Sequence, residues 1–98
     1  MTTPATTTST GLALGNIYLT PGAIDALARA NQSAQEFLER HQRSDFGELD
    51  EHDRHENELS ITHGFRILSA YRTAKDVRLW IITEADRSST TLLLPDEY

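Results

Sequence analysis

The chain has 98 residues, with 15 acidic and 9 basic side chains, a formal net charge of −6 and no cysteine. This length supports one small hydrophobic core and excludes two, and the lack of cysteine excludes disulfide scaffolds, thiolate nucleophiles and cysteine-based zinc sites. No apolar run approaches the ~18 residues of a membrane span, and Met1–Gly11 lacks the basic and apolar parts of a signal peptide, so we expect a cytoplasmic protein without membrane contact.

The N-terminal third predicts a tail, a short strand and a helix. Residues 1–11 are rich in threonine and carry no charge, which predicts a disordered tail ahead of a single domain formed by residues 12–98. Leu12–Leu19 is apolar but interrupted, and we interpret it as a short edge strand or an extended lead-in. Thr20-Pro21 is typical of a helix start, and Asn31 can end that helix. Its predicted apolar stripe comprises Ile24, Leu27 and Ala28.

Two further helices are predicted. Ser33 and Glu36 form a capping-box pattern, in which each side chain satisfies the amide of the other residue. Asp50 is suited to cap a third helix over Glu51–His63, and Gly64 is typical of a helix end. The buried face of the second helix is predicted to comprise Ala34, Phe37, Leu38 and His41.

From Phe65 onward the helical period gives way to the alternation typical of strands. Thr73–Asp76 and Ala85–Ser89 are interpreted as turns between three antiparallel strands, the last closed by Pro95. The predicted fold class is α+β, with two to three N-terminal helices packed on a three- to four-stranded antiparallel β-meander. The N-terminal strand or a bound molecule is expected to cover part of the other sheet face. In the first of the three strands, one face is predicted to carry Phe65, Ile67, Ser69 and Tyr71.

Negative charge is concentrated in residues 45–58, where seven acids stand against Arg54 alone. One interpretation is a solvated helix resting on an arginine-bearing sheet. The other is an acidic face that imitates a phosphate backbone or docks on a basic partner. Direct nucleic-acid binding by this segment is disfavoured, because phosphate binding requires the opposite sign. The candidate partner-binding residues are Asp45, Glu48, Asp50, Glu51, Asp53, Glu56 and Glu58.

Two other groups of residues suggest chemistry but have simpler explanations. His52 and His55 lie one helical turn apart, yet their spacing matches no defined metal signature, so we expect a solvated face and neither metal nor cofactor. Glu84, Asp86 and Arg87 fit an acid/base site. They fit a turn better, in which Asp86 accepts from the amide of Ser88 or Ser89 and Arg87 pairs locally. No catalytic residue is assigned.

An enzyme is the competing hypothesis. In it, Arg66 and Arg87 hold a phosphate while His41 or His63 moves a proton, as in a small metal-independent RNase-like toxin. Trp80 is interpreted as an anchor of the core, with base stacking on an open sheet as the alternative.

Four segments carry a resemblance that extends over Leu14–Tyr98. They read LGNIYLTPGA, FLERHQRSDFGELDEHDRHEN, GFRILSAYRT and WIITEADRSSTTLLLPDEY. The chain resembles a family of small bacterial proteins of plasmids and other mobile elements, labelled "plasmid-related protein" or "type I restriction endonuclease subunit M". The second label cannot be literal, because the chain lacks a glycine-rich cofactor motif and an N-P-P-[YF] tetrapeptide. The resemblance implies a setting in mobile DNA, near restriction, CRISPR or toxin genes, and no catalytic residues.

These observations together favour a non-enzymatic acidic binding protein of mobile genetic elements. We expect it to modulate or inhibit a host defence or nucleic-acid-processing complex, in the manner of anti-restriction or anti-CRISPR proteins. The expected partner is a protein with a basic surface, such as a nuclease or a CRISPR or restriction complex. A homodimer formed through the exposed sheet face is a third hypothesis.

Overall fold

The computed structural model describes residues 12–98, which form three helices and one four-stranded sheet. The α+β class predicted from the sequence is confirmed, whereas the predicted disorder of residues 1–11 lies outside the described residues. In chain order the elements are β1 (Asn16–Leu19), α1 (Pro21–Ala30), α2 (Ala34–Gln42), α3 (Glu51–His63), β2 (Ile67–Arg72), β3 (Arg78–Thr83), β4 (Ser89–Leu93) and a 3-10 helix (Pro95–Glu97).

The sheet is mixed, and the expectation of a wholly antiparallel sheet is wrong. Its strand order is β1-β4-β3-β2, in which β2, β3 and β4 form the predicted antiparallel meander. Strand β1 instead runs parallel to β4, with Leu19 opposite Leu92. This direction leads the chain into α1, which packs against β4. Strand β1 therefore lies at the edge of the sheet. The expectation that it covers part of the second sheet face is wrong.

The hydrophobic core lies between one sheet face and the helices α1 and α2. The alternation in β2 and β3 places Ile67 and Tyr71, like Leu79 and Ile81, on this face, and all four are buried. Phe65 departs from the prediction, because it precedes β2 and is 60% exposed. The core cluster comprises Ala23, Leu27, Phe37, Leu38, Tyr71, Leu79, Ile81 and Leu92.

The helix ends follow the local sequence closely. Thr20 Oγ1 accepts a hydrogen bond from the amide of Ala23, and Asn31 ends α1 in the left-handed conformation. The capping box at Ser33 is only half formed, because the Glu36 carboxylate accepts from the Gln32 side chain.

The buried face of α1 is rotated from the predicted stripe. Ile24 and Ala28 are exposed, and only Leu27 of the predicted three is buried. Alanines supply the rest of the contact, which lets the helix lie close to the sheet: Ala23, Ala26 and Ala30. On the predicted face of α2, Phe37, Leu38 and His41 are buried and Ala34 is half-buried.

Helix α3 lies against the outer edge of β2 and buries little else. The Asn57 amide pairs with the backbone of Leu68, donating to its carbonyl at 2.5 Å and accepting from its N–H at 3.1 Å. Two positions further along β2, Ala70 bonds to Phe46 O and to the Glu48 amide. The side chain of Asn57 thus continues the pairing of residues 46–48 along β2, as a further strand would.

Candidate functional site

The seven predicted partner-binding residues do not form one uniform surface. Two of them lie in the loop before α3 and are neutralised within the fold. Asp45 pairs with Arg40, whose Nε lies 2.8 Å from Oδ2, and this bond holds the pKa of Asp45 below its usual value. Glu48 receives bonds of 3.0 and 3.1 Å from Arg72 Nε on β2. These two carboxylates therefore act mainly within the protein.

The other five acids lie at the N-cap and in the first eight residues of α3, and all are exposed. We call them the acidic surface: Asp50, Glu51, Asp53, Glu56 and Glu58. In residues 12–98 no arginine or lysine lies within ion-pair distance of any of them. Within the described part of the chain, the one ion pair of these five acids joins Glu58 Oε1 to His55 Nδ1 at 3.9 Å. Unpaired carboxylates grouped on one helix produce a negative potential directed toward solvent.

The arginine of α3 itself, Arg54, does not neutralise the acidic surface. Arg54 Nε donates to Leu49 O at 3.3 Å, and its Nη2 lies 3.5 Å from Gly47 O. Asp50 is also the N-cap of α3, because its Oδ1 accepts a hydrogen bond from the Asp53 amide at 2.8 Å. A substitution series should therefore keep Asp50, since a lost cap costs roughly 1 kcal/mol of stability.

The acidic surface is held in place from its inner side. Asn57 and Ser60 are the buried residues of α3. Asn57 bonds to β2 as described, and Arg87 Nη2 donates to Ser60 O at 3.1 Å. Gly64 ends the helix at φ 78°, as predicted. The helix is thus fixed at both its middle and its end, which positions the carboxylates before a partner arrives.

The group Glu84, Asp86 and Arg87 has the geometry of a turn. Asp86 Oδ1 accepts from the Ser88 amide at 2.9 Å, the bond expected from the sequence. Hydrogen bonds from Ser88 lower the pKa of Asp86. The Arg87 guanidinium donates to four backbone carbonyls, those of Phe65, Glu84, Ala85 and Ser60. These bonds tie the β3–β4 turn to the end of α3 and leave the guanidinium engaged by the protein itself.

The structure separates His41, one of the two histidines of the RNase-like hypothesis, from Arg66, whereas His63 lies near Arg87 at the end of α3. His41 is fully buried on the helix-covered side of the sheet, with its ring nitrogens 2.5 Å from Ser69 Oγ and 2.9 Å from Thr83 Oγ1. Burial lowers the pKa of His41 to about 4. Arg66 lies on the opposite face, and His63 is exposed at the end of α3. No observation favours this hypothesis over the binding one.

The second sheet face carries a shallow apolar groove of about 270 Å³. Trp80 is half-buried here and not in the helix-side core, which corrects its predicted role. Its ring meets that of Tyr98 edge-on at 5.9 Å, and Tyr98 Oη accepts from Arg66 Nη1 at 3.0 Å. The alternation of β3 already separated Trp80 from Leu79, whereas nothing in the sequence linked Tyr98 to this face.

In residues 12–98 no three side chains of histidine, aspartate or glutamate are grouped as a metal site would require. His52 and His55 are both exposed on α3. The helices within residues 12–98 are all too short and too polar to cross a membrane.

Comparison of the chain with protein-family models, with curated proteins and with solved structures finds no match.

Proposed function

We propose that this protein is a non-enzymatic binding protein whose acidic surface docks on a basic surface of a protein partner. The observation that carries the proposal is the exposure of Glu51, Asp53 and Glu56 on a fixed helix, without an arginine or lysine partner in the described part of the chain. Charges that the fold does not use retain their full attraction for a complementary surface, and they chiefly raise association rate and specificity.

The sign and spacing of the charges indicate the kind of partner. Carboxylates on successive turns of a helix can occupy arginines and lysines that otherwise contact a phosphate backbone. Together with the resemblance to proteins of mobile elements, this favours a nuclease or a CRISPR or restriction complex in the cytoplasm. Binding there would modulate or inhibit the complex in the manner of anti-restriction or anti-CRISPR proteins. Direct binding of nucleic acid by the acidic surface stays disfavoured on charge.

A pair of matched double variants tests the proposal. Glu51→Lys with Glu56→Lys reverses two charges of the acidic surface and leaves the Asp50 cap intact. Glu36→Lys with Glu39→Lys makes the same net change on exposed positions of α2. Each tagged full-length variant is used to capture partners from the native host, and the proteins retained are quantified by mass spectrometry.

We expect the first variant to capture at least ~10-fold less partner and the second to retain it, because each reversed charge turns an attraction for the basic partner into a repulsion. A tenfold loss corresponds to about 1.4 kcal/mol of binding free energy. Capture by the unmodified protein should also fall as salt rises, since exposed charges are screened. Equal loss in both variants, or no loss in either, would exclude a role for the acidic surface.

A further inference from the structure

The two edges of the sheet differ in a way that the proposed function does not explain. The outer edge of β2 is closed by Asn57 and by residues 46–48. The opposite edge is β1, whose only strand partner in the described residues is β4. An edge strand left open presents unpaired backbone groups to other chains, and proteins usually block such strands.

The backbone direction of β1 defines which groups are free. Asn16 N–H donates to Ser88 O and Thr20 N–H donates to Leu92 O, both at 3.0 Å. Successive residues of a strand direct their backbone groups to alternate sides. The N–H and C=O groups of Ile17 and Leu19 therefore point away from β4, and no bond to them is made within residues 12–98.

The side chains on this edge favour association. Ile17 is 40% exposed and Tyr18 is 55% exposed. No charged residue occurs between Leu12 and Ile24, although the chain has a net charge of −6. The strand contains none of the lysine or proline residues that commonly block an edge. The Glu97 carboxylate is bonded to Thr20 and Gly22 at the α1 end of this strand, so an antiparallel second copy places its uncharged Asn16 end, and not a like charge, nearest to it.

We propose that β1 pairs antiparallel with β1 of a second copy, about a twofold axis that passes beside Tyr18. In this register the backbone N–H and C=O of Ile17 form two hydrogen bonds with the backbone of Leu19 of the second copy. By symmetry, Leu19 of the first copy forms the same two bonds with Ile17 of the second. All outward backbone groups of both strands are then bonded. Such a contact is isologous and closes as a dimer.

The side chains fit the same register on both faces. Tyr18 lies opposite Thr91 of β4, on the face that carries Trp80, whereas Leu19 lies opposite Leu92 on the helix-covered face. The twofold places the two Tyr18 side chains directly across from each other at a non-hydrogen-bonded position, where cross-strand side chains are closest. On the other face, Ile17 of each copy lies beside Leu19 of its partner copy.

Sedimentation equilibrium over a concentration series tests the proposal with full-length protein. We expect a monomer–dimer equilibrium that Tyr18→Lys weakens at least ~10-fold, because two ammonium groups then face each other. Phe65→Lys is the matched control, since Phe65 is similarly exposed but lies at the β2 end of the sheet. Mixing Tyr18→Lys with Tyr18→Glu should restore the dimer. A monomer at every concentration, or a dimer that Tyr18→Lys leaves intact, would overturn the proposal.

Cross-linking supplies a test of register. The chain has no cysteine, and the Cα atoms of a non-hydrogen-bonded antiparallel pair lie about 4.5 Å apart, within disulfide range. Tyr18→Cys should therefore form a disulfide-linked dimer under mild oxidation, whereas Phe65→Cys should not. Equal cross-linking of both variants would exclude this register. The dimer uses β1 and the proposed partner uses α3, so failure of one proposal leaves the other standing.

Discussion

The buried histidine predicts how stability depends on pH. His41 is enclosed between α2 and the sheet, where Ser69 and Thr83 occupy its two ring nitrogens. Burial favours the neutral ring and lowers the pKa of His41 from 6.5 to about 4. In the unfolded chain the ring binds a proton below about pH 6.5. Between pH 6.5 and about 4 the unfolded state therefore binds more protons than the folded state. The contribution of the neutral His41 to stability is fully present above pH 6.5 and is lost as the pH falls toward 4.

The expected size of the effect follows from the two pKa values. Lowering the pH from about 7.5 to about 4.5 should reduce the free energy of unfolding by about 2–3 kcal/mol through His41 alone. For a domain with roughly 5–15 kcal/mol of stability this is a large fraction. The carboxylates with lowered pKa, Asp45, Asp86 and Glu97, have ordinary values at or below 4.5, so most of their contribution is lost at lower pH.

Urea unfolding followed by circular dichroism between about pH 7.5 and 4.5 measures this dependence. His41→Gln keeps a hydrogen-bonding side chain but does not titrate, and its free energy of unfolding should change much less over the same range. His63→Gln removes an exposed histidine and should leave the wild-type slope unchanged. If wild type shows no slope, or if His41→Gln retains the full slope, then the buried imidazole is not the source.

Two further predictions concern the loops and edges. Asn57→Ala removes both bonds to the β2 edge and should lower the free energy of unfolding by about 1–3 kcal/mol, whereas Thr62→Ala on the same helix should change it little; similar urea midpoints for the two would contradict the role of Asn57. Gly47 and Gly64 both have positive φ, but a Cβ at Gly47 overlaps the Ala70 carbonyl while one at Gly64 meets no atom within 4 Å. Alanine at Gly64 should therefore cost roughly 1–2 kcal/mol, the cost of the left-handed conformation for an L-residue, and alanine at Gly47 clearly more, as thermal unfolding of the two variants would show.

Local signals in the sequence were enough to place the helix ends and the turns. Asp50 and Gly64 bound α3 because an N-cap carboxylate and a left-handed glycine act within a few residues of the backbone they satisfy. The Asp86 turn was predictable for the same reason. The alternation of β2 likewise assigned Ile67 and Tyr71 to one face, since the period of a strand depends only on neighbouring residues.

Contacts between residues distant in sequence could not be predicted from these local signals. The direction of β1 depends on its pairing with β4, which is distant in sequence. Glu48 pairs with Arg72 only because residues 46–48 lie against β2. The rotation of α1 also depends on tertiary contact, because small alanines can face the sheet at closer distance than Ile24. Of the predicted acidic residues, the sequence could not separate those paired within the fold from those left exposed.

The parallel pairing of β1 with β4 makes completion of the fold depend on the end of the chain. Thr90 Oγ1 bonds to Leu14 O across 76 positions of sequence, and a contact of such high sequence separation is expected to form late. During synthesis the first strand must wait, unpaired, until the last one has emerged from the ribosome. A nascent chain that lacks β4 would contain the helices and the β2–β3 hairpin but leave the edge of β3 exposed, which favours aggregation.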